Sequence, residues 1–307
     1  MQYHHQILKY IYYPLKGVTN FGSKLGLAPS NSLRILNYHD TPIDYKGRFE
    51  DQLRWLSRRY RFVTPSQFGE MISGNYPVKG HNLLLTFDDG FLSNRTVAEE
   101  VLNPMKISAL FFVVSDFVDI EDLQLSREFI SKNIYDDIKT EEVPGGWKNM
   151  RWNDLEALLE QGHTIGAHTM THAKLSSIKS EFLLKKEIVV SADKLSSHLG
   201  VAIDHFAYPY GDIGSFSIDA MAIAKRRFKF IYSGLRGDNL KEGSSFAICR
   251  EGAATQNLVN HEYSVFENPL LGSFLLGASD FHYSSSRDKL NSWDASCNSI
   301  KYKNNSN

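Results

Sequence analysis

Two adjacent carboxylates follow an apolar run in the first third of the chain. Asp88 and Asp89 come directly after residues 83–87 and are followed by Gly90. Neighbouring side chains of a strand point to opposite faces, but a glycine permits a sharp turn that can aim both carboxylates at one rim. Such a pair can supply a metal ligand beside a general base, or it can simply turn the chain and cap the next helix.

Two histidines, His168 and His172, have a spacing that metal ligands use. The i, i+4 spacing would place both imidazoles on one face of a helical turn. Position 169 is threonine rather than glutamate, so the helix motif of zinc proteases is absent. Capping or surface histidines are the alternative for this pair taken alone. Two imidazoles and one carboxylate, however, form a three-ligand site with an open position, which is typical of catalytic zinc. The second carboxylate would then be available as a general base.

The elements that must position these residues alternate between apolar strands and amphipathic helices. Predicted strands cover residues 33–38, 61–63, 83–87, 108–114, 164–167, 205–208 and 229–233. Predicted helices cover residues 49–60, 65–73, 94–102, 152–161, 181–199 and 216–227. Strand and helix alternation with continuously apolar strands predicts a parallel sheet covered by helices, and this number of units favours a barrel. The carboxyl ends of the strands then bring their polar residues to one face.

Three ordered motifs at these strand ends resemble those of a known family. Residues 85–91 read LTFDDGF, residues 162–175 read GHTIGAHTMTHAKL, and residues 206–211 read FAYPYG. They are similar to the motifs of the polysaccharide deacetylases with a NodB-homology domain (carbohydrate esterase family 4). The resemblance covers about residues 33–250 and implies an α/β fold, an incomplete (β/α) barrel of the polysaccharide deacetylase type.

The resemblance also implies roles for individual residues. Asp88 corresponds to the general base, and Asp89, His168 and His172 correspond to the metal ligands. Tyr210 corresponds to a residue of the substrate loop whose backbone N–H helps to hold the oxyanion. We expect one divalent metal, zinc in the first place, with Co²⁺ and Ni²⁺ as alternatives that the same ligands accept.

The sequence departs from the family pattern in two motifs. Many members carry an arginine in the third motif that orients the base, and residues 206–208 contain none. Arg250 is a candidate for that place in the substrate site, with an ordinary surface arginine as the alternative. The late Leu-x-His motif, which supplies a general acid, is not clear. His261 is a loose candidate, with a solvated loop histidine as the alternative. His39, at a predicted strand end, is a candidate for the substrate site or for a structural hydrogen bond.

Composition and charge restrict the class of protein and its partners. The 307 residues are 42% hydrophobic and 22% charged, and the formal net charge is -1. These values are typical of a soluble globular protein, and they give no reason to expect a nucleic acid partner. We predict an N-terminal helical segment over residues 1–32, a deacetylase domain over 33–283 with an inserted excursion at 119–150, and a disordered tail over 284–307.

The cellular location and membrane contact are expectations from weaker signals. The two cysteines form no CxxC pattern, and the N-terminus lacks the basic stretch and apolar run of a secretion signal. We therefore expect a cytoplasmic protein. Residues 7–27 mix aromatic and basic side chains and could lie on a membrane surface; a helix packed on the domain is the alternative.

These observations predict a metal-dependent hydrolase that removes N- or O-linked acetyl groups from a carbohydrate in bacterial polysaccharide or glycolipid metabolism. Two alternatives stay open. One is a deformylase that acts on a lipid-linked sugar. The other is a catalytically silent carbohydrate-binding protein with the same barrel. The sequence does not decide the sugar or the oligomeric state.

Overall fold

A computed structural model describes residues 13–18, 30–242, 244–253, 256–257, 262–263 and 268–303 of the chain. Within these ranges, no helix is long and apolar enough to span a bilayer. The candidate residue His261 lies outside the described residues. Of the segment 7–27, only residues 13–18 are described, and they are helical.

The strands and helices alternate along the chain as the sequence predicts. The strands are β1 Ser32–Tyr38, β2 Arg61–Phe62, β3 His81–Phe87, β4 Leu110–Val113, β5 Thr164–Ala167, β6 His205–Ala207, β7 Phe230–Tyr232, β8 Glu251–Gly252, β9 Gln256–Asn257 and β10 Glu262–Tyr263. The helices are α1 Lys46–Ser57, α2 Pro65–Ile72, α3 Leu92–Val97, α4 Ser115–Val118, α5 Leu123–Phe129, α6 Trp152–Glu160, α7 Glu181–Lys185, α8 Ser191–Leu199, α9 Ile218–Arg227, α10 Asn239–Glu242, α11 Asn268–Leu275 and α12 Ser284–Lys303.

Short segments of tighter or wider helix complete these elements. The π-helical segments Ala98–Leu102 and Ile130–Ile134 extend α3 and α5, and Lys186–Val190 joins α7 to α8. Single 3₁₀ turns cover Ile43–Tyr45, Thr140–Glu142, Leu175–Ser177 and Asp280–Tyr283. Local sequence explains several helix starts. At α2, for example, the Thr64 hydroxyl oxygen accepts the Gln67 N–H, and Gln67 Oε1 accepts the Thr64 N–H. Pro65 takes the first helical position.

The sheet is parallel and curls into an incomplete (β/α) barrel, which confirms the predicted fold class. Its strand order is β7-β6-β5-β4-β3-β1-β8, with β2 paired beside the start of β3. Residues 245–253, which include β8, connect β7 to β1 across the gap in the barrel. The Ile248 N–H donates to Ile231 O of β7, and the Ala253 N–H donates to Asn37 O of β1.

Alternate strand residues divide the core into an interior and an outer layer. The interior cluster contains Leu33 and Ile35 of β1, Leu84 of β3 and Phe112 of β4. The outer cluster, which includes Leu36 and residues of the surrounding helices, lies between the sheet and those helices. The period of two in the strands is therefore what directs a side chain to the interior or to the helices.

The excursion at residues 119–150 has a small core of its own. Its buried apolar side chains, among them Ile130, Ile134 and Trp147, pack against Phe91 and Phe117. Asp40, after β1, accepts a hydrogen bond from Trp147 Nε1 at 2.7 Å. This segment is therefore fixed to the carboxyl ends of the strands.

The predicted disorder of the tail from residue 284 is wrong for residues 284–303, which form α12. Although the segment is polar in composition, one face of the helix is apolar. Leu290 and Cys297 on this face are buried against the domain, and Trp293 packs beside them. Lys225 of α9 also forms an ion pair with Asp294. Residues 304–307 lie outside the described ranges. The predicted domain boundaries otherwise stay predictions.

Candidate metal centre and active site

The interior-facing positions of the strands become polar where the strands end. In β1 the interior residues Leu33 and Ile35 are followed by Asn37, and in β3 Leu84 is followed by Thr86 and then by Asp88. Because every second residue points inward, the same alternation that builds the interior core brings these polar groups to its carboxyl end. Asp89 would point away from the interior in an extended strand, but its φ of 74° turns it back toward the site.

Asp89, His168 and His172 form a buried cluster with the donor set of a catalytic metal site. Asp89 Oδ1 lies 3.5 Å from His168 Nε2 and 3.4 Å from His172 Nε2. The three ligand atoms are all within 4.8 Å of one another. Neither oxygen of the Asp89 carboxylate has a hydrogen-bond partner among the described residues, although the side chain is 1% exposed. Since an unpaired buried carboxylate is costly, this cluster fits a divalent cation.

Hydrogen bonds at the far side of each imidazole set the tautomer that a metal needs. His168 Nδ1 donates to Ala207 O and His172 Nδ1 donates to Asn133 O, each at 2.7 Å. A carbonyl can only accept, so in the neutral rings Nδ1 carries the proton and Nε2, the atom nearest Asp89, is free to bind a metal. Burial lowers the pKa of His172 to about 4, which leaves the ring neutral near pH 7. Burial also acts to lower the pKa of His168, but Asp88 and Asp89 raise it above its ordinary value.

The predicted helical turn at the two histidines is wrong. Residues 168–174 form an irregular loop in which Thr169 has a φ of 66° and His172 a φ of 64°. Buried Glu187 holds this loop, because its Oε2 accepts the N–H groups of Met170 and Thr171 at 3.0 Å each. The two imidazoles therefore converge through the loop and not through helical spacing.

Asp88 is held in place by two polar side chains. Arg250 Nη1 donates to Asp88 Oδ1 at 2.7 Å, and Asn37 Nδ2 donates to Asp88 Oδ2 at 2.9 Å. Burial acts to raise the pKa of Asp88, but Arg250, His168 and His39 hold it well below its ordinary value. The carboxylate is therefore ionised, as a general base must be.

The sequence candidates Arg250, His39 and Tyr210 all line the same pocket. Arg250 is buried, and its Nε donates to Ser233 O at 2.7 Å. His39 Nε2 lies 4.0 Å from Asp88 Oδ2, and its side chain is 38% exposed. Tyr210 has a φ of 65° and its ring lies 5.1 Å from that of His172. The structure therefore brings these three candidates to the site of Asp88, Asp89, His168 and His172. The loose candidate His261 lies outside the described residues.

The pocket has a volume of about 530 Å³, which is within the range of sites for small ligands. The excursion contributes one wall through Ile134, Tyr135, Asp136 and Asp137. The loop around Tyr210 forms another wall. Its backbone packs so closely on the backbone at Gly234 that a side chain at position 211 would not fit, since a Cβ on Gly211 would be 2.5 Å from Gly234 N. A substrate would thus be enclosed between an acidic wall and an aromatic one.

Sequence reasoning missed three residues that fix this geometry: Asn37, Glu187 and the carbonyl of Asn133. An asparagine at an inward position of an otherwise apolar strand is a signal that could have identified Asn37. Glu187 lies in the middle of a predicted helix and has no such signal. The Asn133 carbonyl is a backbone group in the excursion, so its side chain carries no information about its role.

Comparisons with known proteins agree with this arrangement. Residues 75–227 match the sequence model of the family described as polysaccharide deacetylase. No curated protein matches the chain.

Three solved structures are similar in fold. IcaB from Ammonifex degensii has 23% identity and a TM-score of 0.61 over 80% of this chain and 97% of its own. The Streptococcus pyogenes deacetylase PplD, solved with acetate, has 20% identity and a TM-score of 0.56 over 72% and 92%. The deacetylase domain of BpsB from Bordetella bronchiseptica has 17% identity and a TM-score of 0.56 over 73% and 96%.

Proposed function

The chain belongs to the polysaccharide deacetylase family, and we propose that it removes acetyl groups from a carbohydrate by metal-assisted hydrolysis. One observation carries the proposal: a buried Asp89, His168 and His172 cluster, with an unpaired carboxylate, lies beside the ionised Asp88. The printed names of the similar PplD and BpsB structures, a deacetylase and a deacetylase domain, agree with this class of reaction.

Asp89, His168 and His172 would hold one divalent cation, zinc in the first place. When bound, it supplies a Lewis acid that polarises the acyl carbonyl. The protein contributes the preset tautomers of both imidazoles and a cavity largely closed to water around the ligand atoms. Cobalt and nickel suit the same donor set, so availability would decide the metal in the cell.

Asp88 acts as the general base in this proposal. It takes a proton from the attacking water, which adds to the acetyl carbonyl and produces a tetrahedral oxyanion. Arg250 keeps the carboxylate ionised, and Asn37 fixes the oxygen that Arg250 does not hold. The backbone N–H of Tyr210 would donate to the oxyanion, since the Tyr210 loop lies against His172.

The sugar leaving group needs a proton when the acyl bond breaks. His39 is a partly exposed imidazole on the Asp88 side of the pocket, and we propose that it donates this proton. Hydrolysis then yields acetate and a free amine or hydroxyl on the sugar. Tyr210 is 48% exposed at the rim of the site, where its ring can pack on a sugar face.

Release of acetate from a panel of N- and O-acetylated oligosaccharides tests this function. Metal-loaded wild type should release acetate, and Asp88→Asn should bind the metal equally well but lose activity by at least about a hundredfold. If Asp88→Asn keeps full activity, the base assignment is wrong. If the metal-loaded wild type releases acetate from no acetylated carbohydrate, the proposed reaction is wrong.

Cytoplasmic location and contact with a membrane surface through residues 7–27 are also proposals. Tyr13 and Val18, in the described part of that segment, are 68% and 69% exposed. Sedimentation with anionic lipid vesicles, with and without residues 1–27, tests the contact. Equal sedimentation of both forms would contradict it.

A further inference from the structure

A buried ion cluster lies on the outer side of β8, behind the active site. Arg34 of β1 is 4% exposed. Its Nη1 donates to Glu251 Oε1 at 2.6 Å, and its Nη2 donates to Asp280 Oδ2 at 2.7 Å. Asp238 and Arg236 complete the group, at 3.9 Å from Arg34 and 3.5 Å from Glu251 respectively. We call Arg34, Arg236, Asp238, Glu251 and Asp280 the Arg34 cluster.

The Arg34 cluster and the active site are connected by consecutive residues of the chain. Arg250 reaches Asp88 on the inner side, and the next residue, Glu251, is fully buried among the cluster residues on the outer side. Consecutive side chains of an extended strand point to opposite faces. The position of Glu251 therefore sets the position of Arg250, because β8 is only two residues long and pairs with β1 at Leu36 and Asn37 alone.

Residues 268–303, which we call the C-terminal segment, cover the Arg34 cluster on its outer side. Asp280 belongs to this segment, and Arg287 of α12 donates to the backbone carbonyls of Asp280 and Arg236. Phe274 of α11 lies against the Arg236 guanidinium, 3.7 Å from its ring centroid. No described residue of 268–303 lines the pocket, so any effect of the segment on the reaction is indirect. The pair of Arg34 and Glu251 offers a route through β8.

We infer that Asp280, Arg34 and Glu251 are positioning residues that hold Arg250 against the general base. Asp280, a residue of the C-terminal segment, thus supports the active site although it does not touch the substrate. The inference rests on the proposed function. It goes beyond that function because it assigns a positioning role to Asp280, which lies outside residues 75–227, the part of the chain that matches the family.

The test compares Asp280→Asn with a matched variant, Asp294→Asn. Both substitutions remove one carboxylate of the C-terminal segment, and the two side chains are 22% and 17% exposed. Asp280 pairs with Arg34 in the cluster, whereas Asp294 pairs with Lys225 of α9 and accepts a hydrogen bond from the Ser244 hydroxyl. Asp280→Asn should lower kcat roughly tenfold with KM and metal content unchanged, Asp280→Glu should restore most of it, and Asp294→Asn should match wild type.

Two further measurements separate positioning from general stability. In an Arg250→Met background, Asp280→Asn should lower kcat no further, because the residue through which it acts is gone. The amides of residues 248–253 bond to β7, β1 and Leu235. Their hydrogen exchange should become faster in Asp280→Asn and stay as in wild type in Asp294→Asn. This second readout needs no activity.

Each outcome either supports or contradicts the inference that Asp280, Arg34 and Glu251 position Arg250. Wild-type kcat in Asp280→Asn would overturn it, as would an equal loss of kcat in Asp280→Asn and Asp294→Asn. If even the wild type releases no acetate, the proposed function fails, and exchange alone decides the coupling. Unchanged exchange at residues 248–253 in Asp280→Asn would then overturn it, and faster exchange would support it.

Discussion

Replacing Arg250 by methionine should disable the proposed base without disturbing the metal ligands. The Arg250 and Asp88 side chains are 3% and 4% exposed, and their ion pair is 2.7 Å long. Methionine has a similar apolar stem and lacks the guanidinium. Asp88 would keep only the hydrogen bond from Asn37, with His39 4.0 Å away.

The size of the effect follows from leaving a buried carboxylate without its cation. Removing one partner of a buried ion pair costs about 3–5 kcal/mol. If about 3 kcal/mol of this is lost from the transition state, kcat/KM falls roughly a hundredfold, since each factor of ten corresponds to about 1.4 kcal/mol. The free energy of unfolding should fall as well, because the carboxylate is also stranded in the unliganded protein.

The pH dependence gives a second, more specific readout. In the wild type Arg250 helps to hold the pKa of Asp88 below its ordinary value, against the effect of burial. Without Arg250, burial should raise that pKa, so the base becomes protonated at a higher pH. The acidic limb of the kcat/KM profile, measured by acetate release at saturating metal, should therefore move to higher pH.

A partly exposed arginine away from the pocket lining provides the control for this substitution. Arg227 pairs with Asp193, whose side chain is 56% exposed, so Arg227→Met should change kcat/KM little. The reasoning is refuted if Arg250→Met retains wild-type kcat/KM with an unshifted acidic limb. A loss of metal from Arg250→Met would also refute it, because Arg250 is assigned no part in holding the metal.

Three further predictions concern the loop, the proton donor and the metal ligands. Glu187→Ala should weaken metal binding by about tenfold or more, because the N–H groups of residues 170 and 171 lose their acceptor; metal titration against exposed Glu181→Ala checks this, and equal affinities would contradict it. His39→Gln should lower kcat by roughly a hundredfold with unchanged metal content, and wild-type kcat would remove His39 from the mechanism. Metal affinity, measured by equilibrium dialysis, should fall as the pH is lowered, because protons compete for His168 and His172. The competition should begin at His168, whose pKa is raised by Asp88 and Asp89, whereas that of His172 is lowered to about 4; a pH-independent affinity would contradict the ligand assignment.

Much of the barrel could be predicted because its strands are continuous apolar runs and its helices are amphipathic. The apolar pattern predicts a strand at residues 164–167, for instance, and β5 has those bounds. The prediction of disorder for residues 284–303 is wrong because a polar helix that buries only a few side chains, such as Leu290 and Cys297, has the composition of a disordered segment. Its order comes from tertiary contacts that composition does not reveal.

The candidate site, too, could be predicted from the sequence only in part. The carboxylates and histidines could be identified because their types and order along the chain are distinctive. Their convergence could not be worked out from helical spacing, since left-handed backbone at Asp89, Thr169 and His172 sets it. The contacts of Arg250 and Glu187 join residues far apart in the sequence, and only the folded chain brings them together.

The central claim is that Asp89, His168 and His172 hold a catalytic metal, and metal content tests it most directly. Purified wild type and a His168→Ala/His172→Ala double variant would be measured side by side after reconstitution with zinc. We predict close to one metal per chain in the wild type and none in the variant, with both proteins folded by circular dichroism. No metal in the wild type, or equal metal in the two proteins, would contradict the account.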